Sequence, residues 1–340
     1  MLRARSLVKS KSDERIGRVR PFGLGEPLKK SSRLSHLHSG KTESEKITTF
    51  LQQVDKKQDF ATSGKNNTCK WLAVADGHGT SKVINCFRAI NWSYVVTLPT
   101  GQQMADYICA EVAKLGNTSQ TGATLTIVKI FPTHAEFYWA GDSTAKVYKN
   151  GKQVFQTEDH DLANAAEVTR VENMGVTHNP CGRLTVKDQN NLLMGVNAYF
   201  KFPSVYNYEE FHDYMNMTHA FGHNAASGKF FSEARYEFSE TSHIKIVVGS
   251  DGFHDMTCKT DIPFISNPST TATNLGELAL KRWNQKWDKL IEKDGSERQS
   301  FKNDYIGLGD DVSVAVWSEF IEVKQLPTSS SPLRISSCPF

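Results

Sequence analysis

Short runs dominated by apolar residues recur between about residues 46 and 322, and each reads as a strand: Trp71–Ala75, Ala123–Phe131, Ala135–Ala140, Ala145–Tyr148, Ile244–Gly249 and Val312–Trp317. Helical spacing appears between them. Met104, Ile108, Val112 and Leu115 fall on one helical face, and Leu280, Trp283, Trp287 and Leu290 predict a second such helix late in the chain. The Trp pair there reads as a helix packing on a sheet rather than as a ligand cage. Pro132-Thr133-His134 leaves room only for a tight turn, so the strands on either side form an antiparallel hairpin. A purely parallel doubly wound sheet is thereby excluded. The pattern predicts an α+β domain in which helices cover antiparallel sheets.

Composition adds that the core is sizeable: 39% of the 340 residues are hydrophobic, which excludes disorder over the whole length. No apolar run approaches the roughly 18 residues that span a bilayer, so no membrane partner is expected. The net charge of +3 is too small to argue for nucleic acid, but its distribution is uneven. Residues 1–40 hold ten Lys/Arg against three Asp/Glu, so this stretch carries +7 and the remainder −4. Three segments are expected: a basic, disordered leader over residues 1–45, a folded catalytic domain over 46–322, and a Ser/Pro-rich tail over 323–340. Six scattered cysteines without a C-x-x-C pair, and no secretory apolar segment, read as reduced thiols in a cytoplasmic protein. Most of these cysteines are expected to be small buried hydrophobes.

The chemistry lies where aspartates meet strand ends. Trp71–Ala75 runs into Asp76-Gly77-His78-Gly79, read as a glycine-flexible turn, and Ile244–Gly249 runs into Ser250-Asp251-Gly252-Phe253-His254-Asp255. Gly309-Asp310-Asp311 precedes the last strand, and Gly141-Asp142 follows Trp139-Ala140. Glycine beside an acid on a rigid strand end lets a ligand approach the backbone closely. An isolated Asp-Gly is usually a plain turn, but four acidic strand ends in one domain suggest a shared cation. The donors are carboxylates without matching Cys or paired His, which favours Mg²⁺ or Mn²⁺ over zinc. Two such ions polarise a water and clamp a phosphoryl group, the logic of phosphate hydrolysis.

In order, VADGHGT, GATLTIV, WAGDSTAKVYKNGK, TEDHD with EVTRVENMG, SDGFHD and GDDVSVAVW resemble the signature blocks of type 2C metal-dependent serine/threonine protein phosphatases. The resemblance spans about Gln58 to Trp317. It implies a four-layer αββα sandwich, two antiparallel sheets face to face with helices outside each. It also implies two Mg²⁺ or Mn²⁺ ions, with a weaker third, and a phosphoprotein substrate for a chain that acts as a monomer. On this resemblance Asp76 bridges two metals, the Gly77 carbonyl binds one of them, and Asp251 and Asp310 complete the other. Asp59 binds through water, and Asp142 and Asp255, with Asp251, form the third site. His78 resembles the general acid for the leaving alkoxide. Asp159-His160 and Phe221-Gly222-His223 resemble blocks that are mainly architectural.

The sequence departs from the family pattern in places. The arginine that usually binds substrate phosphate is replaced by Val54, with Lys56 and Lys57 close enough in sequence to substitute. The usual Glu before Asp59 is Gln58, and Thr80 follows Gly79. Residues 190–214 align with nothing in the family and read as a flap or insertion beside the site. The leading expectation is metal-dependent hydrolysis of phosphoserine or phosphothreonine in proteins. The alternative, motivated by Val54, is a weak or inactive member that binds phosphoproteins or a regulator.

Overall fold

A computed structural model describes residues 47–322 apart from 54–56, 119–120, 162–163, 174–176, 188–192, 202–216, 223–230, 285–286, 294–296 and 304–309. The expected leader and tail, Val54, Lys56 and most of 190–214 lie outside the described residues.

The first half of the fold comprises strands β1 (Ile47–Gln52), β2 (Asp59–Lys65) and β3 (Lys70–Gly79), then helices α1 (Lys82–Ala89), α2 (Trp92–Val95) and α3 (Gly101–Ala113). Strands β4 (Thr121–Ala123), β5 (Leu125–Ile130), β6 (His134–Ala140), β7 (Thr144–Lys149) and β8 (Lys152–Gln156) follow, with helix α4 (Ala165–Asn173). The second half adds β9 (Thr177–Lys187), β10 (Leu193–Lys201), β11 (Phe221–Gly222), β12 (Ser232–Glu237) and β13 (Ser242–Gly249). Helices α5 (Asp251–His254), α6 (Ile262–Ile265) and α7 (Ala272–Trp283) then precede β14 (Trp287–Lys293), β15 (Glu297–Asn303) and β16 (Val312–Ile321).

One sheet has seven strands in the order β11-β4-β3-β5-β6-β12, with β2 also on β3; a second runs β1-β16-β13-β7-β8. The period-2 alternation of side chains assigns their faces. On β3, Trp71, Ala73 and Ala75 pack with Val83, Ile84 and Phe87 of α1 and Met104 and Ile108 of α3. Leu72 and Val74 point the other way, onto Val147, Ile246, Val248, Ala315 and Trp317 of the second sheet. That sheet's outer face, Val247, Val312, Val314 and Val316, is covered by Ala272, Leu275 and Ala279 of α7. Three apolar layers between helices, sheet, sheet and helices make the four-layer α+β sandwich that the resemblance implies.

Several expectations need correction. A third, four-stranded sheet, β10-β9-β14-β15, was not foreseen. It takes Trp287 and Leu290 out of the anticipated late helix: α7 stops at Trp283, and Trp287–Lys293 pairs with Glu297–Asn303 and with β9. Asp294-Gly295 between those strands is a hairpin signal that the helical spacing obscured. The anticipated strand Ala123–Phe131 is two strands broken at Thr124, and Asp76-Gly77-His78-Gly79 continues β3 instead of turning. Both follow from one partner exchange: β3 pairs with β5 through Val74, then with β4 from Gly77 onwards. Among the four described free cysteines, Cys69 is buried while Cys86, Cys109 and Cys258 are partly exposed.

Lys245 on β13 is fully buried, and its Nζ donates to the carbonyls of Asn267 and Thr270, both at 2.7 Å. Burial pulls its pKa down to about 7. The unfolded chain, with an ordinary lysine, holds more protons than the native state between about pH 7 and 10, so stability rises with pH in that window. Lys245→Met removes the group, and chemical denaturation between pH 7 and 10 should then lose an upward slope on the order of 4 kcal/mol. An unchanged slope would contradict the assignment.

Candidate metal centre

The acidic residues singled out by sequence converge at one end of the sandwich. Asp59 opens β2 directly opposite Asp76 on β3, so the two carboxyl groups share a face. Asp76 and His78, two residues apart, continue the face of Leu72 and Val74 that looks toward the second sheet. From that sheet, β13 ends at Gly249 and delivers Asp251 onto the start of α5, while Asp310 immediately precedes Asp311 and β16. Asp142 lies in the turn between β6 and β7, made possible by the left-handed Gly141 (φ 102°).

Backbone contacts leave no latitude at two glycines. A Cβ on Gly77 would stand 2.6 Å from the Gln58 carbonyl oxygen, and one on Gly252 would stand 2.0 Å from the Asp311 carbonyl oxygen. The partner exchange of β3 is pinned at Thr124, whose N–H donates to the Asp76 carbonyl (2.8 Å) and whose Oγ1 accepts from the Asp76 N–H (3.0 Å). Asp311, buried, accepts from the N–H groups of Gln58 (2.5 Å) and Asp59 (3.3 Å) and so braces the start of β2. Gln58 Nε2 donates to the Gly79 carbonyl at 2.6 Å, a bond that an ionised glutamate in its place has no proton to make.

Electrostatics join these residues into one network. Asp76 is held well above the usual carboxylate range by burial and by the charges of Asp251, Asp59 and Asp310. Asp251 is raised likewise by burial and then by Asp310, Asp142, Asp255 and Asp59. Burial lifts Asp59 to about 7 against opposition from Asp76, Ser250 and Ser313. Asp142 rises to about 8, by burial and then Asp159 and Asp161, and Asp255 to about 7, by burial and then Asp310 and Asp161. Buried like charges of this kind are costly without a counter-charge. Asp59 Oδ2 and Asp142 Oδ1 are buried with no hydrogen-bond partner of acceptable geometry among the described residues. An all-oxygen donor set with unspent acceptors fits a hard divalent cation.

Sequence reasoning missed some of the surroundings. Asp159, taken as architectural, belongs to the acidic network: burial lifts it to about 7, and Thr144 Oγ1 donates to it at 2.8 Å. Lys57 is exposed with its backbone in the left-handed region (φ 54°), and nothing in its placement marks its side chain for phosphate. Beside Asp59 stands Arg88, at the end of α1, which no motif marked. A second group with metal-ligand chemistry, His160, Glu167 and His219, brings its atoms within 4.8 Å of one another. Its capacity is largely committed. His160 Nδ1 accepts from the Gly141 N–H, His160 Nε2 bonds Ser232 Oγ, and Glu167 is gripped by Arg170 and Thr218. Burial lowers His160 to about 4 and His219 to about 3, keeping both neutral, and the trio reads as a brace behind Asp142.

Comparison with known proteins places the chain in a family. The profile of the protein phosphatase 2C family matches residues 33–223, more than half of the chain, and the chain belongs to that family. The match contains Asp59, Asp76, Gly77, His78 and Asp142, whereas Asp251, Asp255 and Asp310 lie beyond it. Human protein phosphatase 1B is 30% identical over 129 residues, 38% of this chain and 23% of that protein. Rat protein phosphatase 1B is 32% identical over 130 residues, 31% of this chain and 33% of that protein. The aligned stretch thus spans only 23% to 33% of the length of these relatives. A solved structure of a C. elegans sex determining protein has the same fold, with a TM-score of 0.52 and 15% identity, covering 82% of this chain and 66% of that one.

If the carboxylates await a counter-charge, neutralising one should help the metal-free protein. Asp76→Asn at pH 8 is expected to raise the melting temperature in a chelator by a few degrees, at about 2–4 °C per kcal/mol for a domain this size. It should also abolish the further rise that Mg²⁺ gives the wild type. Thermal denaturation with and without Mg²⁺ checks both, and a variant less stable than wild type in chelator would contradict the charge account.

Proposed function

We propose that the protein hydrolyses phosphoserine or phosphothreonine in phosphoprotein substrates with the help of divalent cations. The observation that carries the reading is the convergence of Asp59, Asp76, Asp251 and Asp310 from both sheets onto one acidic site in a chain of this family. Asp59, Asp76, the Gly77 carbonyl, Asp251 and Asp310 would hold two Mg²⁺ or Mn²⁺ ions, with Asp142 and Asp255, alongside Asp251, for a third. When bound, such ions supply an activated water and charge stabilisation for the phosphoryl group.

The protein's own residues then have distinct tasks. His78, half-buried on the same strand face as Asp76, is the group able to pass a proton to the departing side-chain oxygen. Asp311 and Gln58 hold the start of β2 in register, so that Asp59 stays opposite Asp76. Gly252 admits the Asp311 backbone and fixes the distance between α5 and β16. No helix among the described residues is long and apolar enough to cross a membrane, which suits a site open to protein substrates.

The test is release of phosphate from a phosphothreonine peptide with Mn²⁺ or Mg²⁺. The wild type should turn over only with the ion present, and Asp251→Ala should lose at least about a hundredfold in kcat/KM, the scale on which metal-ion catalysis acts. Folded, metal-binding wild-type protein that releases no phosphate would instead favour the phosphoprotein-binding alternative.

A further inference from the structure

A single helical turn does not hold its own direction, because so few internal bonds cannot offset the cost of fixing its backbone. α5 is four residues long, yet it carries Asp251 at its first position and Asp255 at its C-cap. Where these carboxylates point therefore depends on what grips α5 from outside. The backbone bonds at its end are few: the N–H of Asp255 donates to the Asp251 carbonyl (2.8 Å), that of Met256 to Phe253 (3.2 Å) and that of Thr257 to His254 (3.0 Å). Among the described residues these bonds pass over the Gly252 carbonyl, and a carbonyl at a helix end needs a donor from elsewhere.

That donor comes from the end of α7. Trp283 donates from Nε1 to the Gly252 carbonyl at 2.7 Å, and the neighbouring Arg282 donates from Nη1 to the Met256 carbonyl at 2.6 Å. The two bonds differ in what they control. Arg282 also donates to both carboxylate oxygens of Asp261, at 2.6 and 2.8 Å, and so secures the loop that leaves α5. Trp283 acts beside Asp251 itself. The Gly252 N–H donates to Asp251 Oδ1 at 2.6 Å, so the carboxylate follows the glycine backbone. Toward β16, a Cβ on Gly252 would meet the Asp311 carbonyl oxygen at 2.0 Å and the Asp310 Cβ at 3.3 Å. Gly252 is thus held between the end of α7 and the backbone that carries Asp310. From the inner side, His254 Nε2–H donates to the carbonyl of Thr144 at 2.9 Å, two residues beyond Asp142. The Trp283 ring packs on the apolar cluster of Phe253, Met256 and Leu275, but it is only half-buried, so packing alone would leave its N–H free to meet solvent.

We propose that Trp283 is a positioning residue of the cation site: its indole N–H fixes the Gly252 carbonyl, and through it the placement of Asp251 against Asp310. The inference rests on the metal centre of the phosphatase reading and adds to it a residue from a helix that contributes no carboxylate. It also gives the late tryptophan, whose spacing reads as helix-to-sheet packing, a second task. Groups that orient metal-binding side chains are worth about ten- to a hundredfold in metal affinity when removed.

The experiment compares Trp283→Phe, which keeps an aromatic ring and removes the N–H, with Leu280→Ala, which removes packing from the same helix and keeps the indole. Mn²⁺ binding to the full-length protein is measured by calorimetry, with the melting temperature in chelator and phosphate release from a phosphothreonine peptide alongside. Trp283→Phe should weaken apparent Mn²⁺ affinity about tenfold or more. Leu280→Ala should lower the melting temperature and leave Mn²⁺ affinity within twofold of wild type. The proposal fails if Trp283→Phe binds Mn²⁺ within twofold of wild type. It fails equally if Leu280→Ala loses as much Mn²⁺ affinity as Trp283→Phe, since the loss would then report only the stability of α7. Wild type that binds Mn²⁺ more tightly than Trp283→Phe but releases no phosphate would overturn the hydrolytic reading and leave the role of Trp283 standing. Wild type that binds no Mn²⁺ would overturn both.

Discussion

The rest of the structure depends on the cost of placing several carboxylates together in a buried site. Asp59, Asp76, Asp142, Asp251 and Asp255 are all held above the usual acid range by burial, and all but Asp59 chiefly thereafter by one another's charges or those of neighbouring aspartates. A fold maintains such an arrangement only where its scaffold is rigid enough to resist the repulsion and where a counter-charge relieves it. The apolar layer between the sheets supplies the rigidity: Leu72, Val74, Ile246, Val248, Ala315 and Trp317 lock together the strands that carry the acids.

Local features aim the acids. The exchange of β3 from one partner to another at Thr124 lets a single strand remain in the core through Ala75 and still present Asp76 and His78 at its far end. Asp311 spends its carboxylate on the N–H groups of Gln58 and Asp59, which leaves the adjacent Asp310 to the acidic network. On the opposite side, His160, Glu167 and His219 brace Gly141 and with it the turn that carries Asp142. Arg88 does the corresponding work at Asp59, donating to its backbone carbonyl.

The sequence made the acids legible because each follows or precedes an apolar run and most adjoin a glycine, a pattern that survives without knowledge of the fold. The layered α+β architecture was legible from the hairpin at Pro132 and from the spacing of Met104, Ile108 and Val112. The Trp287–Leu290 segment misled because its apolar residues also satisfy a helical period, and the strand partner that settles the matter, β9, lies far away in sequence. Arg88 was invisible for a different reason: two of its three contacts are backbone carbonyls, which no residue pattern marks, and they belong to a different element. The His160, Glu167 and His219 trio escaped for want of ligand spacing, since the chain returns to His219 only after two intervening strands.

The central claim is that the acidic end of the sandwich, and not the histidine brace behind it, is the cation site. The most direct measurement is a crystal structure grown with Mn²⁺, with the ions located by anomalous scattering. The account predicts anomalous peaks among Asp59, Asp76, Asp251 and Asp310. Strong density between His160, Glu167 and His219 with none among the aspartates would contradict it.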